Sequence, residues 1–351
     1  MNSVPALLDE KHPDIVPVME KLVAHHFPTP DDGEISARLQ ALHDEVAVRS
    51  NASSKWGLGN RAPVHGLLVA APSFHGKTRS IEKGIRSLKP ATTGDGQVIE
   101  PKVVRVTVAS NAGGASFVNQ MLRDTGYPLG SRDIPAGSAA KKVVEQLILD
   151  RVTMLWIDEI QYAVDPPRLP GRGRGKDEEL AWSVVHSIVD GNKRWPIAVV
   201  ASGLETSADS LNRPTEERAA LRSRFTLKYL ESMDKKDAAN NVRDALIKLC
   251  EIAGVSTKLT VDEEPPNDLP ARLAHAANHA FGIAVEMARF AIARASIRPE
   301  RKLTSDDLAD VYRLKTSCDN KANPFLIRQW TDVDPTLLHA RFADQRREKT
   351  S

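Results

Sequence analysis

Two short segments constrain the fold of this chain more than any other feature, because they have the form of the two motifs of a phosphate-binding α/β sheet. The first is APSFHGKT at 71–78, which follows the apolar run 66–70 and leads into a helix-compatible stretch. The second is MLWIDE at 154–159, an apolar strand candidate that ends in two carboxylates. A P-loop lies between a strand and a helix, and a Walker B strand delivers acidic side chains to the metal beside it. The pair predicts that the chain binds and hydrolyses a nucleoside triphosphate.

The chemistry of a phosphate chain suggests a role for several residues of these motifs. Gly76 lets the backbone approach the phosphates, Lys77 supplies a charge for the β- and γ-phosphates, and Thr78 supplies a hydroxyl for Mg²⁺. Asp158 is expected to hold the metal through its water shell, and Glu159 to polarise the attacking water. The candidate metal-binding residues are therefore Thr78 and Asp158. The candidate nucleotide-binding residues are Ala71, Pro72, Ser73, Phe74, His75, Gly76, Lys77, Thr78, Arg79 and Asp158.

The first motif departs from the usual P-loop pattern at three positions. Ala71 stands at the opening glycine, and Phe74 and His75 fill positions where glycine or small residues are common. If the loop needs a positive φ at position 71 or 74, a non-glycine residue there is strained. The loop alone is therefore a weak signal, and the Walker B strand is what supports it. The alternative is a core strand that ends in Asp-Glu by chance, which leaves Gly76-Lys77-Thr78 unexplained.

Two later segments extend the predicted site. Ser202 follows the strand candidate 197–201 and could sense the γ-phosphate, the sensor 1 role; the alternative is a serine that makes a turn at the strand end. The second segment is 216–225, where an arginine can reach the γ-phosphate of a neighbouring subunit and stabilise transition-state charge. Such a role would require an oligomer. Arg222 and Arg224 are the candidates, with Arg218 third, and the alternative is a solvated helix face. The candidate catalytic residues are Glu159, Lys77, Ser202, Arg222 and Arg224.

The order of strand and helix candidates predicts an α/β core followed by a helical domain. Strand candidates lie at 66–71, 103–109, 152–157, 197–201 and 225–230, with helix candidates between them at 78–88, 115–125, 139–150 and 179–189. This alternation is typical of a parallel sheet covered on both faces. Four further helices are predicted at 235–253, 268–281, 283–296 and 305–314, the last with Ser305 or Thr304 as N-cap. The expected domains are an N-terminal helical extension (1–55), the nucleotide-binding core (56–231), a helical lid (232–316) and a tail with little core of its own (317–351).

Composition bears on the partners and the compartment. The formal net charge is +2, so a nucleic-acid partner would need local basic patches. Cys250 and Cys318 belong to no CxxC or Cys/His ligand pattern, and we expect structural thiols in a reducing cytoplasm. The N-terminus has no signal-peptide pattern, and no apolar stretch approaches the roughly 18 residues that span a bilayer. We therefore expect a soluble, cytoplasmic protein.

Several segments together resemble the AAA+ ATPases of transposons, the TniB/TnsC type. They are the P-loop, WIDEIQ at 156–161, PIAVVASGLETS at 196–207, LRSRF at 221–225, the helical lid and the tail with Asn323-Pro324-Phe325. The resemblance covers roughly residues 35 to 330 and implies an α/β fold: an AAA+ P-loop core with a parallel five-stranded sheet flanked by helices, plus a small helical lid. A less close likeness is to the Orc/Cdc6 initiator ATPases, which share the Ser-Arg-Phe segment.

The resemblance implies an ATP-dependent and Mg²⁺-dependent oligomer, a ring or helical filament around duplex DNA. Such a protein recruits a transposase to a target chosen by a TniQ/TnsD-like selector, breaks no DNA strand itself, and is taken apart on ATP hydrolysis. The usual sensor 2 arginine of AAA+ lids is not obvious, and Arg289 is the one candidate that we name.

DNA contacts in this family come from segments after the second and third core elements and need cations that face phosphates. The matching stretches and the basic loop 168–176 contain the candidates Arg123, Arg132, Lys141, Lys142, Arg172 and Arg174. The alternative for each is a solvated surface charge.

Two other functions remain open at this point. An initiator-like ATPase would want a DNA-reading domain after the lid, for which the 35-residue tail is short. A nucleotide-gated interaction scaffold would bind ATP without useful turnover, which the altered P-loop keeps open. Glu159→Gln should trap an ATP-bound state in a hydrolysing regulator and change little in a scaffold.

Overall fold

A computed structural model of the protein describes residues 15–50, 63–110, 113–130, 132–165, 174–190, 195–230, 236–257 and 269–336. The described residues belong to two compact units. One is Thr29–Leu230, and the other joins Met1–Pro28 to Glu231–Ser351. Within the described ranges, no helix combines the length and apolar character that crossing a membrane requires.

The predicted helices and strands follow one another in the expected order, and the structure adds short helices at Gln161–Val164, Glu205–Leu211 and Glu216–Arg222 that were not among the helix candidates. In chain order, the described elements are α1 (Ile15–Ala24), α2 (Pro30–Arg49), β1 (Gly66–Ala70), α3 (Lys77–Arg86), β2 (Ala91–Thr92), β3 (Val98–Ile99), β4 (Val103–Thr107), α4 (Gly114–Asp124), α5 (Ala136–Leu149), β5 (Met154–Asp158), α6 (Gln161–Val164), α7 (Arg174–Asp190), β6 (Ala198–Gly203), α8 (Glu205–Leu211), α9 (Glu216–Arg222), β7 (Phe225–Tyr229), α10 (Ala238–Ala253), α11 (Leu269–Ala276), α12 (Phe281–Ser296) and α13 (Ser305–Thr316), followed by two 3-10 turns at Asn320–Ala322 and Trp330–Asp332.

The first unit is built on a parallel five-stranded sheet with the strand order β4-β5-β6-β1-β7. Every residue of β1, β5 and β6 is buried, which is why these strands read as continuous apolar runs rather than alternating ones. Because all five strands are parallel, their carboxyl ends meet at one edge of the sheet. The predicted fold class is confirmed, and each of the five predicted strands is present.

Helices cover both faces of this sheet. On one face, Leu68, Leu155 and Val199 point into a core that includes Phe117 of α4 and Trp182 of α7. Their neighbours along each strand point to the opposite face, where they pack with α2 and α3, as the side-chain period of two requires. The hairpin of β2 and β3 lies outside this sheet and was not predicted.

Helix α2 packs against α3 through a close approach at Gly84. A Cβ atom at Gly84 would lie 2.6 Å from Cδ1 of Leu39, so the absence of a side chain permits this contact. The N-terminal residues thus divide between the units: α2 packs in the first, and α1 packs with α10 and α12 in the second. The four-part domain division of the sequence analysis stays a prediction.

The second unit is helical, as predicted, and the bounds of its helices differ from the predicted ones by up to five residues. Helix α11 ends at Ala276, earlier than the predicted 281, because Asn278 and His279 take left-handed φ values of 49° and 58° that end a helix. The N-cap of α13 is Thr304, whose backbone N–H donates to Oδ2 of Asp307 at 2.8 Å. The Ser305 hydroxyl instead donates to the carbonyl of Phe325 at 2.7 Å.

The segment after α13 packs into this helical unit, contrary to the expectation of a tail with little core. Asn323 is fully buried and its Nδ2 donates to the carbonyl of Ala309 at 2.9 Å. Phe325 is buried with its ring edge-on to Tyr312, and buried Arg272 donates to the carbonyls of Pro324 and Ile327. The Asn-Pro-Phe segment therefore closes the core of the helical unit.

Candidate nucleotide-binding site

The carboxyl ends of three neighbouring strands bring the two motifs together. Strand β1 leads into the loop 71–76, β5 ends at Asp158, and β6 lies between them. The register pairs Asp158 with Ser202, and Ala70 with Gly203. Ligands of open parallel sheets bind at this edge, so the predicted P-loop, Walker B and sensor residues share the expected location.

The loop folds back onto its own lysine. Gly76 has a left-handed φ of 83° at the N-cap of α3, and Lys77 is 7% exposed. The Lys77 Nζ donates to the carbonyls of Ala71 and Pro72 at 2.9 Å each. Burial lowers the pKa of Lys77, an effect that the nearby Glu159 and Asp158 carboxylates oppose. A phosphate chain would give this ammonium the anionic partner that burial makes favourable.

Phe74 adopts a backbone conformation that favours glycine. Its φ is 68°, whereas Ala71 has no positive φ, so the question that the sequence raised is decided at position 74. A non-glycine residue in this region costs about 1–2 kcal/mol. Phe74 is 44% exposed, and the Nδ1 of His75 lies 3.1 Å from the carbonyl of Ser73. The conformation of the loop, rather than burial of the Phe74 side chain, therefore maintains this strained backbone.

The Asp158 carboxylate is the centre of the site. It accepts hydrogen bonds from the Ser202 hydroxyl at 2.6 Å and from the Thr78 hydroxyl at 3.2 Å to Oδ2. The Thr78 hydroxyl and the Asp158 carboxylate are hard oxygen ligands of the kind that Mg²⁺ prefers, next to the loop that would hold its phosphate ligands. The donor set therefore fits a magnesium site.

Ser202 is fully buried and relays a contact from Trp156 to Asp158. The indole N–H of Trp156 donates to the Ser202 Oγ at 2.9 Å, and the hydroxyl donates onward to Asp158. The side chain thus points into the site. The alternative was a serine that only makes a turn at the strand end. Its sensor role stays a prediction.

Glu159 is held by a residue that the sequence analysis did not single out. Glu159 has a φ of 60°, and its carboxylate accepts a hydrogen bond from the side-chain amide of Gln161. The amide oxygen of Gln161 in turn accepts from the backbone N–H of Leu204 at 3.2 Å. A Cβ at Gly203 would lie 2.9 Å from that oxygen, so glycine leaves room for the bridge. The signal for Gln161 was its place two residues after Glu159.

Arg105 of β4 also reaches the site and was missed. Its Nη2 lies 2.7 Å from Oδ2 of Asp158, and its Nη1 lies 2.6 Å from Oε1 of Glu82 on α3. The available signal was a lone charge in the strand sequence VVRVT, since a charge among apolar strand residues needs a partner.

The candidate trans-acting arginines differ in how firmly they are held within the chain. Arg218 is buried over the ring of Trp182, 5.5 Å from its centroid, and 3.5 Å from the Glu178 carboxylate. Arg224 pairs with Asp190 at 2.8 Å. Arg222 is exposed and donates to the carbonyl of Asn212 at 3.3 Å. Arg222 is therefore the easiest of the three to release toward a neighbouring copy.

The candidate DNA contacts and the lid arginine occupy varied environments. Arg123 pairs with Asp133 at 2.6 Å, Lys142 donates to the Tyr127 hydroxyl at 2.7 Å, and Arg132, Lys141 and the P-loop candidate Arg79 are exposed. Arg172 lies outside the described residues, as does the side chain of Arg174. The buried Arg289 donates to the carbonyl of His25 at 2.7 Å, within its own helical unit.

Comparison with known families matches residues 56–234, just over half of the chain, to the family described as bacterial TniB protein. No curated protein matches the sequence. The match confirms the resemblance that the motifs indicated.

Solved structures share the fold at low sequence identity. The Aeropyrum pernix ORC2 protein, solved as ADPNP-ADP complexes, is 14% identical with a TM-score of 0.55. The match covers 86% of this chain and 72% of the ORC2 chain. The Cdc6p protein of Pyrobaculum aerophilum is 12% identical with a TM-score of 0.53, over 83% of this chain and 69% of its own. At these identities the likeness shows the fold.

Proposed function

The chain belongs to the TniB family of AAA+ ATPases, and from that premise we propose that it is an ATP-dependent regulator of transposition that assembles on duplex target DNA. In this proposal the assembly links a TniQ/TnsD-like target selector to a transposase and comes apart when ATP is hydrolysed. We propose the cytoplasm as its compartment, which the free thiols of Cys250 and Cys318 support.

One observation carries the proposal: the hydrogen-bonded group formed by Thr78, Asp158 and Ser202 beside the buried Lys77. Lys77 would exchange the carbonyls of Ala71 and Pro72 for phosphate oxygens. Thr78 and Asp158 would hold Mg²⁺, which when bound supplies charge stabilisation to the phosphates. Ser202, already aimed at Asp158, would report the occupied site.

Glu159 would act on the attacking water. Its carboxylate is held by Gln161, which also contacts the backbone that leaves β6, so the orientation of Glu159 is tied to the strand that carries Ser202. A carboxylate fixed in this way can orient a water for in-line attack on the γ-phosphate. A change in the contact between Glu159 and Gln161 on ATP hydrolysis would be transmitted to the end of β6.

DNA binding would rest on phosphate contacts rather than base reading. The net charge of +2 requires local cations, and the exposed Arg132 and Lys141 are the described candidates most available for this. Affinity from such contacts falls steeply as salt rises. Arg123 and Lys142 would have to leave Asp133 and Tyr127 to contribute.

Electron microscopy of the full chain with duplex DNA tests the proposal. We expect rings or filaments with ATP and Mg²⁺, none with ADP, and longer-lived assemblies for Glu159→Gln because it binds ATP without hydrolysing it. Lys77→Ala, which removes the phosphate-binding cation, is the control and should not assemble. Identical particles in ATP, in ADP and without nucleotide would rule the proposal out.

The fold shared with the ORC2 and Cdc6p proteins is compatible with a second candidate, an initiator-like ATPase. Such a protein would prefer particular base sequences, whereas a transposition regulator that contacts phosphates would not. Competition between unrelated duplexes of equal length distinguishes the two: equal competition supports the first function, and a preference of tenfold or more for one sequence supports the second.

A further inference from the structure

Arg105 joins two carboxylates on different elements of the nucleotide site. One guanidinium nitrogen contacts Glu82 of α3 at 2.6 Å, and another contacts Asp158 of β5 at 2.7 Å. Helix α3 begins at the P-loop lysine, and β5 carries the Walker B carboxylate. The two motifs are thus bridged by one cation, in addition to the direct contact between Thr78 and Asp158.

The position of Arg105 is fixed by the sheet. It lies directly opposite Trp156 in the parallel pair β4–β5, and its Cζ lies 4.2 Å from the centroid of the Trp156 ring. A guanidinium stacked on an indole is stabilised by the ring quadrupole and keeps its planar fork in one orientation. The strand register therefore aims Arg105 at Asp158, since Thr107, two residues farther along β4, is the register partner of Asp158.

Arg105 is the cation in direct contact with the Asp158 side chain. The Asp158 side chain is 4% exposed, whereas that of Arg105 is 37% exposed. The ammonium of Lys77 also interacts electrostatically with Asp158, but its hydrogen bonds go to two loop carbonyls. A buried carboxylate without a cation is strongly disfavoured, so the Arg105 contact stabilises the charged Asp158 when no metal is bound.

Mg²⁺ would draw on the same carboxylate. A cation placed near Thr78 and Asp158 is repelled by the guanidinium, because both positive charges interact with one buried anion at short range. Such coupling is reciprocal: if Arg105 lowers the affinity of Asp158 for Mg²⁺, bound Mg²⁺ weakens the Arg105–Asp158 contact by the same free energy.

We propose that Arg105 is a positioning residue that holds Asp158 in the metal-free protein and competes with Mg²⁺ for its charge, so that it sets the Mg²⁺ concentration at which nucleotide is retained. This inference rests on the proposed nucleotide site. It gives a role to a charge that lies outside both sequence motifs.

The test is thermal unfolding of the full chain at a saturating ADP concentration across a Mg²⁺ titration, with EDTA as the metal-free reference. ADP avoids turnover, so the reading does not depend on activity. For Arg105→Gln we expect the Mg²⁺ concentration at half-maximal stabilisation to fall about three- to tenfold, because the competing charge is gone. We also expect the metal-free protein to unfold at a lower temperature than wild type.

Two further variants keep the test decisive. Arg38→Gln removes an ion pair with Glu34 whose 2.6 Å length and exposure match those of the Arg105–Glu82 pair, and it should leave the Mg²⁺ midpoint unchanged. Arg105→Lys keeps the charge but cannot contact Glu82 and Asp158 together, so its midpoint should lie between those of wild type and Arg105→Gln. If Arg105→Gln does not fold, the Mg²⁺ midpoint of Arg105→Lys tests the inference.

The outcomes separate the inference from the proposed function. If Mg²⁺ and ADP stabilise wild type but both Arg105 variants keep the wild-type midpoint, the role of Arg105 is overturned and the nucleotide site stands. If Arg105→Gln lowers the unfolding temperature equally at every Mg²⁺ concentration, Arg105 is only a structural ion pair. If Mg²⁺ and ADP do not stabilise wild type, the nucleotide site and the inference both fall.

Discussion

At the residue scale, the chemistry of this protein depends on a few polar atoms held by contacts from several elements. Asp158 is held by Ser202, Thr78 and Arg105, and Lys77 by two carbonyls of its own loop. Each contact orients a side chain before a ligand arrives, which lowers the entropy that binding would otherwise lose. Phe74 and Glu159 differ, because their φ values of 68° and 60° place their backbones in a strained, left-handed conformation.

Phe74→Gly should stabilise the ligand-free protein. Glycine removes the left-handed strain at φ 68°, about 1–2 kcal/mol, and loses part of this gain to the greater entropy of its unfolded chain. We expect a net gain of about 0.5 kcal/mol in the free energy of unfolding, measured by urea denaturation. His75→Gly is the matched control and should destabilise, because His75 has no positive φ. Equal effects of the two substitutions would contradict the strain argument.

At the scale of elements, a buried network ties α7 to the segment that carries the candidate trans-acting arginine. Glu178 of α7 is 2% exposed and accepts hydrogen bonds from the Ser210 hydroxyl at 2.6 Å and from Arg213. Arg218 lies 3.5 Å away on α9, and Trp182 donates to the same serine at 2.9 Å. The position of α9, which ends at Arg222, therefore depends on a charge in another helix.

Glu178→Ala should destabilise the first unit strongly. It leaves Arg218 buried without this carboxylate, and breaking a buried pair costs about 3–5 kcal/mol. Glu179→Ala, at the exposed neighbouring position, should change the free energy of unfolding by less than about 0.5 kcal/mol. In the double variant Glu178→Ala/Arg218→Met the loss should be smaller than the sum of the single losses. Additive losses would show that the two side chains do not interact.

Helix α10 gives the second unit a pH dependence in the alkaline range. Burial raises the pKa of the Cys250 thiol from 9.0 to about 12. Because the thiol ionises at a lower pH in the unfolded state than in the folded state, its contribution to stability is complete below pH 9.0. That contribution is lost as the pH rises from 9.0 toward about 12. At about one pH unit above the unfolded value the loss approaches about 1.4 kcal/mol.

Urea unfolding at about pH 7 and about pH 10 measures this effect. Wild type should lose more stability between the two conditions than Cys250→Ala, which has no thiol to ionise in the unfolded state. Tyr312, whose pKa burial raises from 10.0 to about 12, contributes equally to both proteins. The same loss in both would show that Cys250 is not responsible.

At the scale of the whole molecule, we propose that Arg222 of one copy of the chain acts on the nucleotide site of another. Arg222 is exposed, and its bond to the carbonyl of Asn212 is long, 3.3 Å, so a neighbouring copy can compete for it. An arginine supplied in this way stabilises the charge that develops on the γ-phosphate. Family membership places the chain among AAA+ ATPases, and the action of Arg222 on a neighbouring copy is our proposal.

A mixing experiment tests whether Arg222 acts between copies. Glu159→Gln and Arg222→Ala should each lose most ATPase activity, the second by about 10³-fold if Arg222 serves as an arginine finger. An equal mixture should recover activity, because an intact Glu159 can then meet an intact Arg222 at some interfaces. A mixture of Glu159→Gln with Glu159→Gln/Arg222→Ala is the control and should stay inactive. No recovery in the first mixture would exclude action in trans.

Much of the fold and half of the site are predictable because they depend on local order along the chain. The three central strands are buried along their whole length and appear as continuous apolar runs, and the partly buried edge strands β4 and β7 are the less clear ones. A P-loop must follow one strand and a Walker B carboxylate must end another, and parallel strands bring both ends to one edge. That is why Lys77, Thr78, Asp158 and Ser202 could be placed together before any distance was known.

The tertiary structure decided the remaining features, because they depend on contacts between segments far apart in sequence. Arg105 contacts Asp158 only through the register of β4 with β5, and Glu178 meets Arg218 only where α7 packs beside α9. Pro324 and Ile327 pack into the helical unit, where buried Arg272 donates to their carbonyls. A sequence pattern shows that a charge needs a partner; three-dimensional packing alone determines which partner it meets.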